Sequence, residues 1–154
     1  MTKSCLRALA PAWILTLALG SGTALAADDH VYTEGNVLDV TSIRTKPGMF
    51  DEYMKFVSNA WRKEQEELKK QGLVVDYAVY EAIPRSPADP DLYLVVTYRN
   101  MAAFDMLMEK SEAVEKTIFG SMAAGQKAAV DRESIRTILG SQVIRQLNLK
   151  PAGK

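Results

Sequence analysis

The run VLDVTSIRTKPGMFDEYMKF, residues 37–56, changes its hydrophobic period half-way along, and that change decides the fold. Residues 37–44 are rich in β-branched side chains and read as a strand, ended by the turn signal Lys46-Pro47-Gly48. From Met49 onward Phe50, Tyr53, Met54, Val57, Ala60 and Trp61 recur at three- and four-residue spacing, the signature of one helix face. The helix is expected to continue through RKEQEELKKQ, residues 62–71, read as a solvated mixed-charge face, and to stop at Gly72.

Working outward, residues 73–83 (LVVDYAVYEAI) return to strand alternation. Three prolines within residues 84–90 mark a loop, and residues 92–98 (LYLVVTY) form the most β-prone run in the chain. A connection this short implies an antiparallel pair. Asn100 is expected to cap a second amphipathic helix carrying Met101, Phe104, Leu107, Met108, Val114 and Ile118. Gly120 and Gly125 are expected to interrupt it, leaving residues 123–138 as a separate helical piece ended by Gly140-Ser141. Residues 142–149 read as a last strand with Val143, Arg145, Leu147 and Leu149 on one face, and residues 150–154 as a tail. The order β-α-β-β-α-β is a split βαβ arrangement, an α+β fold whose four-stranded antiparallel sheet carries its helices on one face.

Upstream, Lys3 and Arg7 precede an apolar stretch over residues 8–19, and Ala24-Leu25-Ala26 fits a small-x-small cleavage site. Residues 1–26 are therefore expected to be a signal peptide, followed by a flexible leader over residues 27–36 and the folded domain over residues 37–149. The apolar stretch is shorter than the roughly 20 residues that span a bilayer, so no membrane span is expected after cleavage. The expected location is outside the cytoplasm, periplasmic or secreted. Cleavage leaves 128 of the 154 residues, removes the only cysteine, Cys5, and changes 19 basic residues to 17 against 19 acidic ones. A cysteine-free exported domain must draw its stability from packing or association. Its slight negative charge argues against a nucleic-acid partner.

The strand, Lys-Pro-Gly turn and aromatic-acidic helix start of residues 37–56 resemble the opening of the dimeric α/β-barrel (ferredoxin-like) superfamily, including antibiotic-biosynthesis-monooxygenase-like and NIPSNAP-like domains. Element order extends the resemblance over most of residues 37–149. The superfamily's haem-dependent branches use a histidine to hold iron. The only histidine here is His30, outside the expected domain, so no haem and no other cofactor is implied. Cofactor-free monooxygenase members set no fixed residue pattern. The resemblance implies face-to-face dimerisation. The residues agree, since Tyr77 and Tyr80, Leu94 and Val95, and Ile144 and Leu147 put apolar groups on both sides of the sheet.

No phosphate loop, nucleophile elbow or metal-spaced cluster is present, and no catalytic or metal-binding set is assigned. Were cleavage to follow Ala27, Asp28-Asp29-His30 would form an amino-terminal copper chelate; otherwise His30 belongs to the leader. Acid–base work would fall to carboxylates, lysine or tyrosine. Asp39 and Asp76 lie within strand patterns, where an inward carboxyl has a raised pKa and an outward one is solvated. Arg99 and Arg145 suit an anion or a surface salt bridge. An apolar cavity between sheet and helices is expected to be lined by Tyr53, Trp61, Asp76, Tyr77, Tyr98 and Arg145. The leading expectation is a non-catalytic homodimer that binds a small apolar or aromatic molecule. Its alternatives are a cofactor-independent monooxygenase or isomerase acting on an aromatic substrate, and an envelope protein-interaction module that docks through residues 120–139.

Overall fold

The structure, a computed structural model, describes residues 30–105 and 107–151. The expected signal peptide over residues 1–26 lies outside the described residues. β1 spans Tyr32–Thr45. It starts five residues before the expected Val37, because residues 32–34 pair with residues 147–149 of the last strand instead of forming a loose leader. The chain then turns as its sequence demands: the Met49 N–H donates to the Lys46 carbonyl at 2.9 Å, with Pro47 and Gly48 at the corner. Gly48 has φ +76°, the left-handed conformation that the third position of a type II turn requires.

α1 (Phe50–Phe56), a π-helical turn (Val57–Trp61) and α2 (Arg62–Lys70) follow without a break in helical backbone. The end of α2 is a Schellman motif. Leu73 N–H donates to the Leu68 carbonyl, Gly72 N–H donates to the Lys69 carbonyl, and Gly72 takes φ +76°. β2 (Asp76–Glu81) and β3 (Leu92–Tyr98) form the expected antiparallel pair. Their loop is held by two aspartates. Asp89 accepts from the N–H groups of Arg85 and Ser86, and Asp91 accepts from the Thr45 N–H and hydroxyl.

Asn100 is extended and makes no side-chain cap; a 3₁₀ turn, Met101–Phe104, starts there instead. α3 (Leu107–Phe119) ends at Gly120, φ +81°, and α4 (Met122–Asp131) starts with the Ser121 hydroxyl accepting from the Ala124 N–H. Only one of the two expected interruptions is real. Gly125 sits inside α4, buried against Glu115 of α3, where a larger residue would collide with that carboxylate. After a 3₁₀ turn at Arg132–Ser134, β4 runs from Arg136 to Leu149. It begins six residues before the expected start at 142 and takes in Arg136, Thr137 and Ile138, expected to be helical. Gly140 lies within the strand beside a register shift opposite Ser42, a position where glycine marks a bulge and not an end.

The sheet order is β2-β3-β1-β4, every neighbouring pair antiparallel. Register assigns the faces. Ile43, Thr41, Asp39 and Val37 of β1 lie opposite Leu92, Leu94, Val96 and Tyr98 of β3. The β3 residues of this set pack with Tyr53, Val57, Trp61, Leu68 and Val114 in one core beneath the helices. Full burial of such apolar side chains stabilises by about 1.5–3 kcal/mol each. The other face carries Leu38, Val40, Tyr93, Val95, Ala78, Tyr80 and Ile144, and no helix of the described residues packs over it. Among the described residues, no helix is long and apolar enough to cross a membrane.

Candidate functional site

A cavity of about 230 Å³ lies between the helix-bearing face of the sheet and the helices. Asp39 and Thr41 of β1 and Leu94, Val96 and Tyr98 of β3 form its floor. They share that face because strand residues two apart point the same way. Trp61, closing the π-helical turn, stands beside Glu64, Gln65 and Leu68 of α2, and Leu107 and Ser111 of α3 complete the wall. π-turns inside α-helices are frequent at functional sites, because they re-aim the residues that follow. Trp61 is fixed from behind by Tyr77, whose ring meets it edge-on with centroids 5.4 Å apart.

Three acids meet in this space. Burial raises the Asp39 carboxyl above its ordinary range. Glu64 is raised by burial and then by the charge of Glu115, with Arg132 acting in the opposite direction. Tyr98 is pushed up to about 12, first by burial and then by the negative charges of Asp39 and Glu64. Gln65 is only 5 % exposed, and its side-chain Oε1 accepts no hydrogen bond. A buried acceptor without a donor is uncommon in folded proteins and calls for a physical reason.

The residues expected to line a cavity separate in the structure. Trp61 and Tyr98 line it. Tyr53 does not: it is a core residue, packed on Phe56 with the Arg136 guanidinium beyond its ring. Tyr77 supports Trp61 from outside and donates its hydroxyl to Glu66 at 2.5 Å. Asp76 is exposed at the start of β2 and bonded to Lys69 at 3.0 Å, which holds its carboxyl below the ordinary range. Arg145 lies on β4, clear of the helices, and pairs with Glu34. Asp39, weighed equally with Asp76 in the sequence, is the strand carboxylate that faces inward.

Glu64, Gln65, Thr41 and Ser111 were not singled out by sequence. The run over residues 62–71 is not wholly solvated, since Gln65 and Leu68 are buried. Its signal was present: Gln65 lies four residues after Trp61 and three before Leu68, on the apolar side of the helix. A larger groove of about 770 Å³ runs outside α2 and α3, lined by Arg62, Lys63, Glu66, Glu67 and Lys70. Its charges neutralise one another locally, as in the Lys70–Glu67 pair at 3.3 Å. The inner cavity gathers acids weakened by burial beside the Trp61 ring, and it is the better candidate site. Among the described residues, no group of three or more His, Cys, Asp or Glu side chains is placed to hold a metal ion.

HapK from Hahella chejuensis superposes over 77 % of this chain and 99 % of its own, with TM-score 0.50 and 18 % identity. The fold is ferredoxin-like. A protein from Shewanella oneidensis matches 76 % of this chain and 96 % of its own at 13 % identity and TM-score 0.47. A dimeric ferredoxin-like protein from an uncultured marine organism matches 78 % and 100 % at 11 % identity and TM-score 0.47. No family model and no curated protein matches the sequence. In this ferredoxin-like domain the candidate site therefore rests on its own geometry: a cavity beneath two helices, floored by the two central strands.

Proposed function

We propose that the protein is an exported ferredoxin-like domain that binds a small ring-sized molecule in the cavity between sheet and helices, and that it works as a homodimer. One observation carries the binding reading: Asp39, Glu64 and Tyr98, all made weaker acids by burial, share one cavity with the Trp61 ring. Perturbed acids gathered in a cleft are typical of functional sites. The size fits, because an engineered cavity of about 150 Å³ already takes up benzene. Against the expected apolar lining, the occupant is one that offers a ring to Trp61 and hydrogen bonds to the acids.

Ser111→Trp should fill the cavity from α3. Single-ring compounds screened by saturation-transfer NMR should bind the native protein and lose their signal with this variant, whose fold is checked by circular dichroism. Binding that survives unchanged would place the ligand elsewhere and overturn the reading.

A second reading, proton-transfer catalysis of the isomerase type, draws on the Asp39 carboxyl specifically. A carboxyl raised toward neutrality beside a phenol can take a proton from one carbon of a bound ring and return it to another. Deuterium washing into such a ligand, and its loss in Asp39→Asn, would support this reading; a ligand that stays undeuterated would leave a binding protein only.

A further inference from the structure

We propose that the cavity selects a small organic cation, a ring bearing an ammonium or amidinium group. This deepens the binding reading above and rests on it. Two carboxyl groups line the cavity, Asp39 and Glu64, and among the described residues no Lys, Arg or His side chain lines it with them. The positive charge that acts on Glu64 comes from Arg132, which is not part of the lining, and Glu115 adds a further negative charge nearby.

A second and independent observation is Gln65. Gln65 belongs to the cavity lining, is nine-tenths buried or more, and its Oε1, set below the accessible surface, has no donor among the described residues. An ammonium group carries three donors and no acceptor, so it matches a wall whose charged groups are two carboxyls, with an undonated amide oxygen close behind it. The Trp61 ring adds the aromatic surface on which cations are favoured. An anion meets the reverse of each condition.

The test uses three compounds of one shape. The full-length protein is titrated by calorimetry with benzylammonium, benzyl alcohol and benzoate. Benzylammonium should bind at least about tenfold more tightly than benzyl alcohol, a gap of the size that desolvated ion contacts supply, and benzoate should give no binding heat. Gln65→Leu should shrink the gap. If the alcohol binds as tightly as the ammonium, or the benzoate more tightly, the cation inference fails while the cavity remains a binding site. If none of the three binds, or if the ammonium still binds to Ser111→Trp, the site itself is wrong and both readings fall.

Discussion

At the scale of single residues, Asp39 carries a cost that its position on the sheet imposes. It lies opposite Val96, on the face beneath the helices, and burial raises its carboxyl. The folded chain therefore holds this proton more tightly than the unfolded chain does. Stability from this group is greatest when it is protonated and falls as pH rises from the ordinary value of 3.8 through the raised folded value. Asn in its place has no proton to lose. Thermal unfolding of Asp39→Asn should match the native protein in acid and exceed it by a few degrees at neutral pH, the gap opening as pH rises. The same substitution should weaken ammonium binding, because it removes one of the two charges in the cavity. A constant gap at all pH values would show that the Asp39 charge is not strained. Asp76 shows why sequence alone could not choose between the two. Each sits in a β-prone run among apolar neighbours, and a one-residue change of register exchanges the faces. Only pairing, Asp39 with Val96 and Asp76 with Thr97, separates the buried acid from the one that meets Lys69 in solvent.

At the scale of elements, the order of strands and helices was legible because its punctuation is chemical. The Pro47-Gly48 corner, the Gly72 helix end and the proline loop over residues 84–90 each allow few backbone paths. What stayed hidden was the phase of the first helix. Tyr53, Val57, Trp61, Gln65 and Leu68 are all buried, at spacings of 4, 4, 4 and 3. From Tyr53 to Leu68 is 15 residues, whereas four turns of α-helix take about 14.4. The π-turn at Val57–Trp61 absorbs the excess, so a period carried forward from Tyr53 drifts away from Gln65, which only its spacing from Trp61 recovers. Deleting Asn59, an exposed residue of the π-turn, restores spacings of 4, 3, 4 and 3 and lets one α-helix keep both of its packed ends. The variant should retain native helicity and urea stability to within about 1 kcal/mol. Trp61 sits at the junction where the helical backbone is rewound, so binding of the benzylammonium probe should be lost. A variant that binds normally would show that the π-turn serves packing only. The last strand was misplaced for a related reason: Gly140 was read as an end, whereas a bulge lets β4 pass through it to Leu149.

At the scale of the whole molecule, the two faces of the sheet are unequally covered, and the inequality is what argues for a second copy. The helices bury Leu92, Leu94, Val96 and Tyr98, while the opposite face leaves Tyr80 57 % exposed and Ile144 44 % exposed beside Leu38 and Tyr93. β4 adds a long outer strand with Val143, Leu147 and Leu149 exposed as well. A strand edge of this length, charged only at Arg136 and Arg145, invites pairing or aggregation unless something covers it. Stacking the open faces of two copies would bury Tyr80 and Ile144 together and shield the flank of β4. The full-length protein should therefore sediment as a dimer at micromolar concentration. Tyr80→Glu combined with Ile144→Glu should place charges on both flanks of that contact and shift the population to monomer, with circular dichroism unchanged because neither side chain belongs to the core beneath the helices. The cavity lies on the other side of the sheet, so the monomeric variant should still bind the ammonium probe. Loss of both properties together would mean that the open face supports the cavity floor, through Val40 and Val95, which lie in the same two strands as Asp39 and Val96. A native protein that sediments as one copy at every concentration would remove the second copy from the architecture and leave the exposed face to some other partner.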